Sequence, residues 1–229
     1  MKTQQSSILV RLTVFVIFFN FLFVGCDNSS DQKKSEGYIL YEVIPVCKKN
    51  WMSDFAPHEM TLRFRKGSCA AEMSAMGGIF RSDFIIDLSD RSFTQIVKVW
   101  NDKFFSVQSE SELKREMNNN TEIIFSDDEK EIAGYTCKKA MVKSKYSKVF
   151  YEIWYTEELG FRYPGFAMPY KGLKGIPLDY RIDKFGLELR FIAKKVITTS
   201  INDKFFKTPA GYTRVSTDSI ASYFSKLGS

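Results

Sequence analysis

The sequence predicts a mainly β fold: a large curved antiparallel sheet that forms a half-barrel, with one or two short helices. About ten segments between residues 38 and 213 alternate apolar with polar residues, and turn signals separate them every eight to twelve positions. Helical periodicity is confined to two short stretches. A sandwich of two sheets is the alternative that spacing alone leaves open.

Residues 1–25 have the layout of a secretory signal, with Lys2 and Arg11, no acidic residue and an apolar block from Leu12 to Val24. As a helix this block spans ~20 Å, whereas the hydrocarbon core of a membrane is ~30 Å thick. Phe23-Val24-Gly25-Cys26 resembles a bacterial lipobox. We therefore predict a lipoprotein signal peptide over 1–25 and lipidation of Cys26. A plain secretory signal or an uncleaved anchor is the alternative.

Residues 26–37 are almost devoid of apolar side chains after the cysteine, which is typical of a solvated tether. Two acyl chains on Cys26 would hold the following domain durably on a membrane. The membrane is thus the first predicted partner, and the predicted location is the cell envelope.

The strands follow in order from residue 38. MTLRFRKGSCAAEMSA predicts a hairpin, because Met60, Leu62 and Phe64 point to one face and Lys66-Gly67 supplies the turn. The other predicted strands are GYILYEVIP, DFIIDL, FTQIVKVW, KFFSV, TEIIFS, YTCKKAMVK, KVFYEIWYT and GLELRFIAKK. SDRS, NDK, SDDEKE, KSKYS and DKFG are predicted to connect them.

Two stretches read as short helices. SESELKREMNNN offers Ser109 or Ser111 as an N-cap and acidic residues in the first turn. STDSIASYFSKLG can form a second helix that ends at Gly228, inside a C-terminal tail of residues 214–229. The β domain is therefore predicted over 38–213.

Residues 159–178 form a long aromatic segment with interspersed proline and glycine. Loops of this length in a compact domain are usually functional or disordered, and its large apolar side chains argue against disorder. A lid over the open side of the sheet and a permanent plug are both compatible with it.

Charge and motifs exclude several function classes. Loss of Lys2 and Arg11 with the leader lowers the formal net charge from +6 to +4, and the basic residues are interspersed with acids, so no nucleic-acid partner is expected. Zinc, phosphate-loop and EF-hand motifs are missing, so no cofactor or metal is predicted. We interpret the acidic run as a solvated turn rather than a cation site: Asp127, Asp128, Glu129 and Glu131.

His58 is the only histidine, and no nucleophile motif accompanies it, so we expect a surface loop residue. Lipidation of Cys26 would leave Cys47, Cys69 and Cys137, an odd number, so at least one thiol stays outside any intramolecular disulfide. Cys137 beside Lys138 and Lys139 is a candidate reactive thiol, but packing is the favoured role.

Four runs in the C-terminal half carry a family resemblance: IAGYTCKKA, EIWYTEELG, GLKGIPLDY and DKFFKTPAGYT. Their order resembles that of uncharacterised envelope lipoproteins related to the lipoprotein carrier LolA, and the GLPGLI proteins are similar. Lys174 stands where the latter have proline. The resemblance implies a LolA-like half-barrel with a concave apolar face, and an outer-membrane location.

If the domain is carrier-like, the apolar faces of strands 149–156 and 187–194 line this concavity, which makes Ile153, Leu189 and Phe191 the predicted ligand-binding residues. The predicted function is a non-catalytic, lipid-anchored envelope lipoprotein that binds an apolar ligand or another envelope protein. The alternative is a structural lipoprotein with a packed barrel that acts through its outer surface. An enzyme is the third interpretation, and convergent acids and bases would favour it.

Overall fold

The computed structural model describes residues 35–46, 56–116, 121–144, 150–161, 170, 172–184 and 187–227. These residues belong to one compact unit, Gln32–Ser229. The predicted signal peptide, Cys26 and Cys47 lie outside the described residues. None of the described helices is long and apolar enough to span a membrane.

The predicted mainly β fold with short helices is confirmed. The described part of the chain forms twelve strands: β1 Gly37–Pro45, β2 Glu59–Arg65, β3 Ser68–Ala75, β4 Phe80–Asp87, β5 Ser92–Val99, β6 Asp102–Ser109, β7 Thr121–Ile132, β8 Tyr135–Ser144, β9 Phe150–Thr156, β10 Ile176–Lys184, β11 Leu187–Thr198 and β12 Thr213–Arg214. Helix α1 spans Glu110–Glu116 and helix α2 spans Thr217–Leu227.

All twelve strands join one sheet in the order β12-β6-β5-β4-β3-β2-β1-β11-β10-β9-β8-β7. Successive hairpins build each half of the sheet, and β1 and β11 join the halves as an antiparallel pair. The pairing is antiparallel throughout except between β12 and β6. After β11, which lies in the middle of the sheet, the chain thus runs to the edge beside β6.

The sheet is strongly curved, and its concave face is filled by its own side chains. Strands β2 and β9 are four strands apart in the sheet, which is ~19 Å if the sheet were flat. Nevertheless, the ring of Phe64 on β2 lies 5.9 Å from the ring of Phe161, which follows β9. Residues from both halves, including Tyr41, Cys69 and Cys137, share one hydrophobic core. The curvature therefore closes the core.

The first hairpin shows how the sequence specifies the two faces. Met60, Leu62 and Phe64 are buried in the concave core, as their alternation predicts. Thr61 pairs with Glu72 and Arg63 with Ala70 across β2 and β3, which places the polar side chains of Thr61, Arg63 and Glu72 on the convex face together with Ala70. Gly67 has a φ of 87° in the turn, a conformation that glycine adopts without strain.

Both predicted helices are present with serine caps. The Ser109 hydroxyl accepts a hydrogen bond from the Glu112 N–H (3.4 Å), while the Glu112 carboxylate accepts one from the Ser109 N–H (2.7 Å). This reciprocal pair is a capping box. Ser216 caps α2 by accepting from the Ser219 N–H at 3.1 Å. The predicted cap at Ser109 is therefore confirmed, and Ser216 gives α2 a cap of the same kind, which was not predicted.

Helix α2 covers the concave face beyond the main core. Ile220 and Phe224 pack against Val97 and Val99 of β5, with Phe104 of β6 at the margin. The described part of the predicted C-terminal tail is thereby attached to the sheet through a hydrophobic cluster of its own.

The segment 199–215, which we call the strap, crosses the convex face. Phe206 and Tyr212 of the strap pack against a small cluster formed by Ala70, Ile85 and Ile96. Strand β12 ends the strap by pairing with Phe104 and Phe105 of β6. The two faces of the β4–β6 region are therefore covered by two successive C-terminal segments.

Some elements differ from the prediction. SDDEKE is not a turn but belongs to β7, where the register with β8 shifts between Phe125 and Glu129. Strand β10 was not predicted, because Pro177 and the paired charges near its end obscure the alternation. Gly175 precedes it, and a Cβ there would lie 2.0 Å from the Thr156 carbonyl oxygen, so the close approach of the backbones requires glycine.

The aromatic segment 159–178 is anchored in the core at both described ends. Leu159 and Phe161 are buried in its first residues, and Tyr170 and Leu173 are buried in its later part. Residues 162–169 and 171 lie outside the described part of the chain. The last three residues of the segment, 176–178, begin strand β10.

Candidate functional site

A ladder of alternating charges crosses the convex face of β2, β3 and β4. Arg63 Nη1 lies 2.9 Å from Glu72 Oε2, and Arg81 Nη2 lies 3.0 Å from Glu72 Oε1. Arg81 also forms an ion pair with Asp83. Alternation on three neighbouring strands brings these four side chains to the same face, since the ladder follows the cross-strand register.

Asp83 is the buried end of this ladder. Its side chain is 7% exposed and also accepts a hydrogen bond from the Met73 N–H at 3.4 Å. Burial raises the pKa of Asp83 to about 6, although Arg81 and the Met73 N–H act in the opposite direction. The carboxyl is therefore held close to its titration point near neutral pH.

At the β2 end of the ladder, the strap holds the arginine side chains in place. The guanidinium of Arg63 lies 4.0 Å from the ring centre of Phe205, and that of Arg65 lies 4.1 Å from the ring centre of Phe206. Arg65 also forms an ion pair with Asp203. These cation–π contacts restrict the arginine side chains before any ligand arrives.

An open cleft of 530 Å³ lies next to the ladder. Polar side chains from β2, β3 and the residues before β2 supply most of its lining, and the 3₁₀ turn Met76–Gly78 borders it: Ala56, His58, Glu59, Thr61, Arg63, Glu72, Ser74, Ala75, Met76 and Gly77. His58 is exposed in the segment before β2, as predicted for a surface residue. Ladder members Arg63 and Glu72 therefore face a solvent-accessible space.

The cleft is equipped to bind hydroxyl groups. Glu72 offers carboxylate acceptors and Arg63 offers guanidinium donors, and hydrogen bonds to charged groups are stronger than those between neutral groups. Ser74 and His58 both line the cleft, but no hydrogen bond within the described residues joins them. A Ser-His nucleophile is therefore not assembled here.

A second charged cluster lies on the convex face of β7 to β11. Arg190 contacts both carboxylate oxygens of the buried Asp179, at 2.9 and 2.8 Å, and Lys130 Nζ lies 3.3 Å from the same carboxylate. Burial acts to raise the pKa of Asp179, but Arg190 and Lys130 outweigh burial, so the pKa lies below its usual value. Lys130 also lies 4.2 Å from the ring centre of Trp154. Every charged group of this cluster is satisfied internally, which indicates a structural role.

The two described cysteines are buried in the core, and Asp128 of the acidic run forms a surface ion pair. Cys137 is fully buried, and burial raises the pKa of its thiol to about 12, so it packs rather than reacts. Neither Cys69 nor Cys137 forms a disulfide. Asp128 pairs with Lys139 at 3.2 Å on the surface. Within the described ranges, no three metal-ligating side chains are grouped to hold an ion.

The predicted ligand-binding residues lie in the packed core. Ile153 and Phe191 are buried there, and the Phe191 ring stacks on Tyr180 with ring centres 4.9 Å apart. Leu189 is half-buried and packs against the same cluster. All three contribute to the closed concave face, where each contacts other side chains of the chain.

A family model and solved structures give a consistent result for this chain. Residues 78–165 match the model of a family described as N-glycanase peptide, N-terminal domain. Crystal structures of PNGF-II share the fold: in the C2 space group the TM-score is 0.53 at 15% identity over 83% of this chain, and in the P21 space group it is 0.53 at 14% identity over 84%. The chain spans only 33% and 34% of those PNGF-II chains. No curated protein sequence matches it.

These findings correct the functional interpretation. The likeness is to PNGF-II and not to LolA or the GLPGLI proteins, so the family resemblance drawn from the C-terminal motifs was wrong. The predictions of a lipid-binding lipoprotein and of a non-enzyme are wrong for the same reason, because residues 78–165 match an N-glycanase family model and the fold is shared with PNGF-II. No finding indicates a lipid anchor at Cys26, and the predicted envelope location stays a prediction.

The polar ladder was not predicted as a site. Its sequence signal is modest: Thr61, Arg63 and Arg65 alternate with apolar residues in MTLRFRKG, which indicates a charged convex face. Glu72, Arg81 and Asp83 come from other strands, and only the register of β3 and β4 brings them beside Arg63. Local alternation could identify the face, but not the partners.

Proposed function

We propose that this chain is an N-glycanase-related domain whose convex cleft binds the glycan of an N-glycosylated protein. The family model over 78–165 and the shared fold support the relation to N-glycanases. The chain spans a third of the length of PNGF-II, so its relation is to one part of that protein. N-glycanase activity of this chain is therefore part of the proposal.

The observation that carries the proposal is the placement of Glu72. Its two carboxylate oxygens are held by Arg63 and Arg81 from opposite sides, and its side chain is 34% exposed beside the cleft. A carboxylate held in this way accepts hydrogen bonds from vicinal hydroxyls, and Arg63 donates to neighbouring oxygens. The arrangement is pre-organised, so little side-chain entropy is lost on binding.

The open form of the cleft suits a ligand that extends beyond it. One side is solvent, so a branched glycan attached to a protein can enter without threading through a closed mouth. Apolar ligands would leave the charged groups of the lining without hydrogen-bond partners, which is unfavourable. The chemistry of the lining thus favours a polyhydroxylated ligand.

The two acidic groups of the ladder differ in their access to such a ligand. Asp83 has a pKa of about 6, in the range useful for proton transfer, but it is buried and engaged by Arg81 and Met73. Glu72 faces the cleft. If the domain contributes an acidic group directly to the reaction of an N-glycanase, Glu72 is the group in position.

Calorimetric titration with a synthetic N-glycopeptide, and with the same peptide lacking its glycan, tests the proposal. We expect binding of the glycopeptide only, and loss of about tenfold or more in affinity for Glu72→Gln, since that change removes charge-assisted hydrogen bonds. Glu188→Gln is the matched control, because Glu188 forms a similar cross-strand ion pair with Arg181 at 3.3 Å and is 35% exposed.

Mass spectrometry of the incubated glycopeptide then shows whether the chain itself removes the glycan. Removal that is lost in Glu72→Gln would assign Glu72 a direct part in the reaction. Equal binding of both peptides, or binding of neither, would overturn the proposal. Equal affinity of wild type and Glu72→Gln would show that the glycan binds away from the cleft.

A further inference from the structure

Trp100 occupies an unusual position in the turn between β5 and β6. Val99 pairs with Asp102, so Trp100 and Asn101 are the two loop residues. The φ of Trp100 is 56°, a left-handed value that favours glycine and that bulky residues rarely adopt. The side chain is nevertheless 64% exposed, so core packing does not explain why tryptophan stands there. Strained backbone clusters at functional sites, and at this position it presents an exposed aromatic ring.

The turn that carries Trp100 is held rigidly from both sides. The Trp100 N–H donates to the Ile79 carbonyl at 3.0 Å. Lys98 Nζ donates to the Gly78 carbonyl, also at 3.0 Å. Helix α2 holds the other side, where the Tyr223 hydroxyl donates to the carboxylate of Asp102 at 2.7 Å. The ring therefore projects from a fixed base, which lowers the entropy cost of stacking a ligand on it.

The same hydrogen bonds connect Trp100 with the cleft. Ile79 and Gly78 belong to the connection between β3 and β4, and Met76 and Gly77 of that connection line the cleft. Met76 is itself 47% exposed with a φ of 53°. An exposed aromatic ring thus stands one hairpin away from the polar ladder, at the same end of the sheet.

We propose that Trp100 is the stacking platform for a sugar ring of the glycan held in the cleft. The inference rests on the proposed function and names a subsite for it. A pyranose ring has an apolar C–H face and a polar edge, so a glycan can be recognised by an aromatic surface at one ring and by hydrogen-bonding groups at another. Trp100 supplies the aromatic surface, and Arg63 with Glu72, on strands β2 and β3, supplies the hydrogen-bonding groups.

Three variants of the full chain test the platform: Trp100→Ala and Trp100→Gly remove the ring, and Trp100→Phe keeps an aromatic face. Titration uses the N-glycopeptide and N,N′-diacetylchitobiose, the core disaccharide of N-linked glycans. We expect both ringless variants to lose about tenfold in affinity for the glycopeptide, and Trp100→Phe to stay within a few-fold of wild type. Melting temperatures well above the titration temperature for all four proteins would exclude unfolding as the cause.

The outcomes separate the platform from the proposed function. If the ringless variants bind the glycopeptide as tightly as wild type while Glu72→Gln does not, the proposed stacking role of Trp100 is wrong and the proposed glycan binding in the cleft is supported. If wild type binds neither ligand, both are wrong. If the disaccharide binds wild type and its affinity falls in the ringless variants, the ring in contact with Trp100 belongs to the glycan core. If the disaccharide affinity is unchanged while the glycopeptide affinity falls, Trp100 contacts a more distant sugar, and the platform is equally supported.

Discussion

The carboxyl group of Asp83 gives the molecule a pH dependence that can be measured. Burial raises the pKa of Asp83 to about 6, against ~3.9 for an unfolded aspartate. Between these values the folded state binds more protons than the unfolded state. The stabilisation from protonated Asp83 is therefore fully present below pH ~4 and is lost as the pH rises through about 6.

Asp83→Asn removes this titration while it keeps the shape of the side chain. We expect the free energy of unfolding of wild type to fall by on the order of 2 kcal/mol more than that of the variant between pH 4 and pH 7. Urea unfolding at a series of pH values measures the difference. Asp127→Asn, which makes the same substitution at an exposed position of β7, is the matched control. A curve for Asp83→Asn parallel to that of wild type would contradict the assignment.

Among the connecting elements, the β5–β6 turn has a backbone conformation that its sequence does not favour. A left-handed residue costs an L-amino acid with a side chain about 1 kcal/mol relative to glycine. Trp100→Gly should therefore be more stable than Trp100→Ala by about 1 kcal/mol, since neither variant has the ring and only alanine retains the strain. Chemical denaturation of both variants measures this difference.

The neighbouring position supplies the comparison. Asn101 has no positive φ, so glycine there gains nothing from the conformation and loses more backbone entropy. Asn101→Gly should accordingly be no more stable than Asn101→Ala. The same preference for glycine at both positions would mean that flexibility, and not the backbone conformation of Trp100, produces the effect.

At the level of the whole molecule, we expect helix α2 to unfold together with the sheet, because it packs on β5 through a buried apolar cluster. Ile220 of α2 is 1% exposed and packs against Val97 of β5. Ile220→Ala therefore leaves a cavity in a packed cluster. We expect this change to lower the free energy of unfolding by about 2–5 kcal/mol, with coincident transitions by tryptophan fluorescence and far-ultraviolet circular dichroism.

Ile124→Ala provides the reference, because Ile124 is 48% exposed on the edge strand β7 and its truncation should cost far less. An independent C-terminal tail would behave differently: Ile220→Ala would then leave the main transition in place. Such a result would support a domain boundary at residue 213.

The resemblance to LolA failed for a reason that the fold makes visible. The motifs that carried it are local: glycines at turns, a tryptophan-bearing strand, and a proline at a strand start. Gly134 has a φ of 83°, and Gly175 meets the backbone of Thr156, so both glycines meet local steric demands that many curved β-sheets share. Such signals identify strands and turns, and they do not identify which strands become neighbours.

The sequence by itself determined the local elements. Alternation placed Met60, Leu62 and Phe64 on the buried face, and serine side chains began both helices, because strand periodicity and helix capping depend on residues a few positions apart. Only the tertiary structure decided that the concave face is filled by its own side chains, as the Phe64–Phe161 contact illustrates. It also joined Arg63, Glu72 and Arg81 into one ladder and set Trp100 beside Ile79. These contacts depend on strand register and sheet curvature, which result from the packing of the whole chain and leave no periodic signal in any single segment.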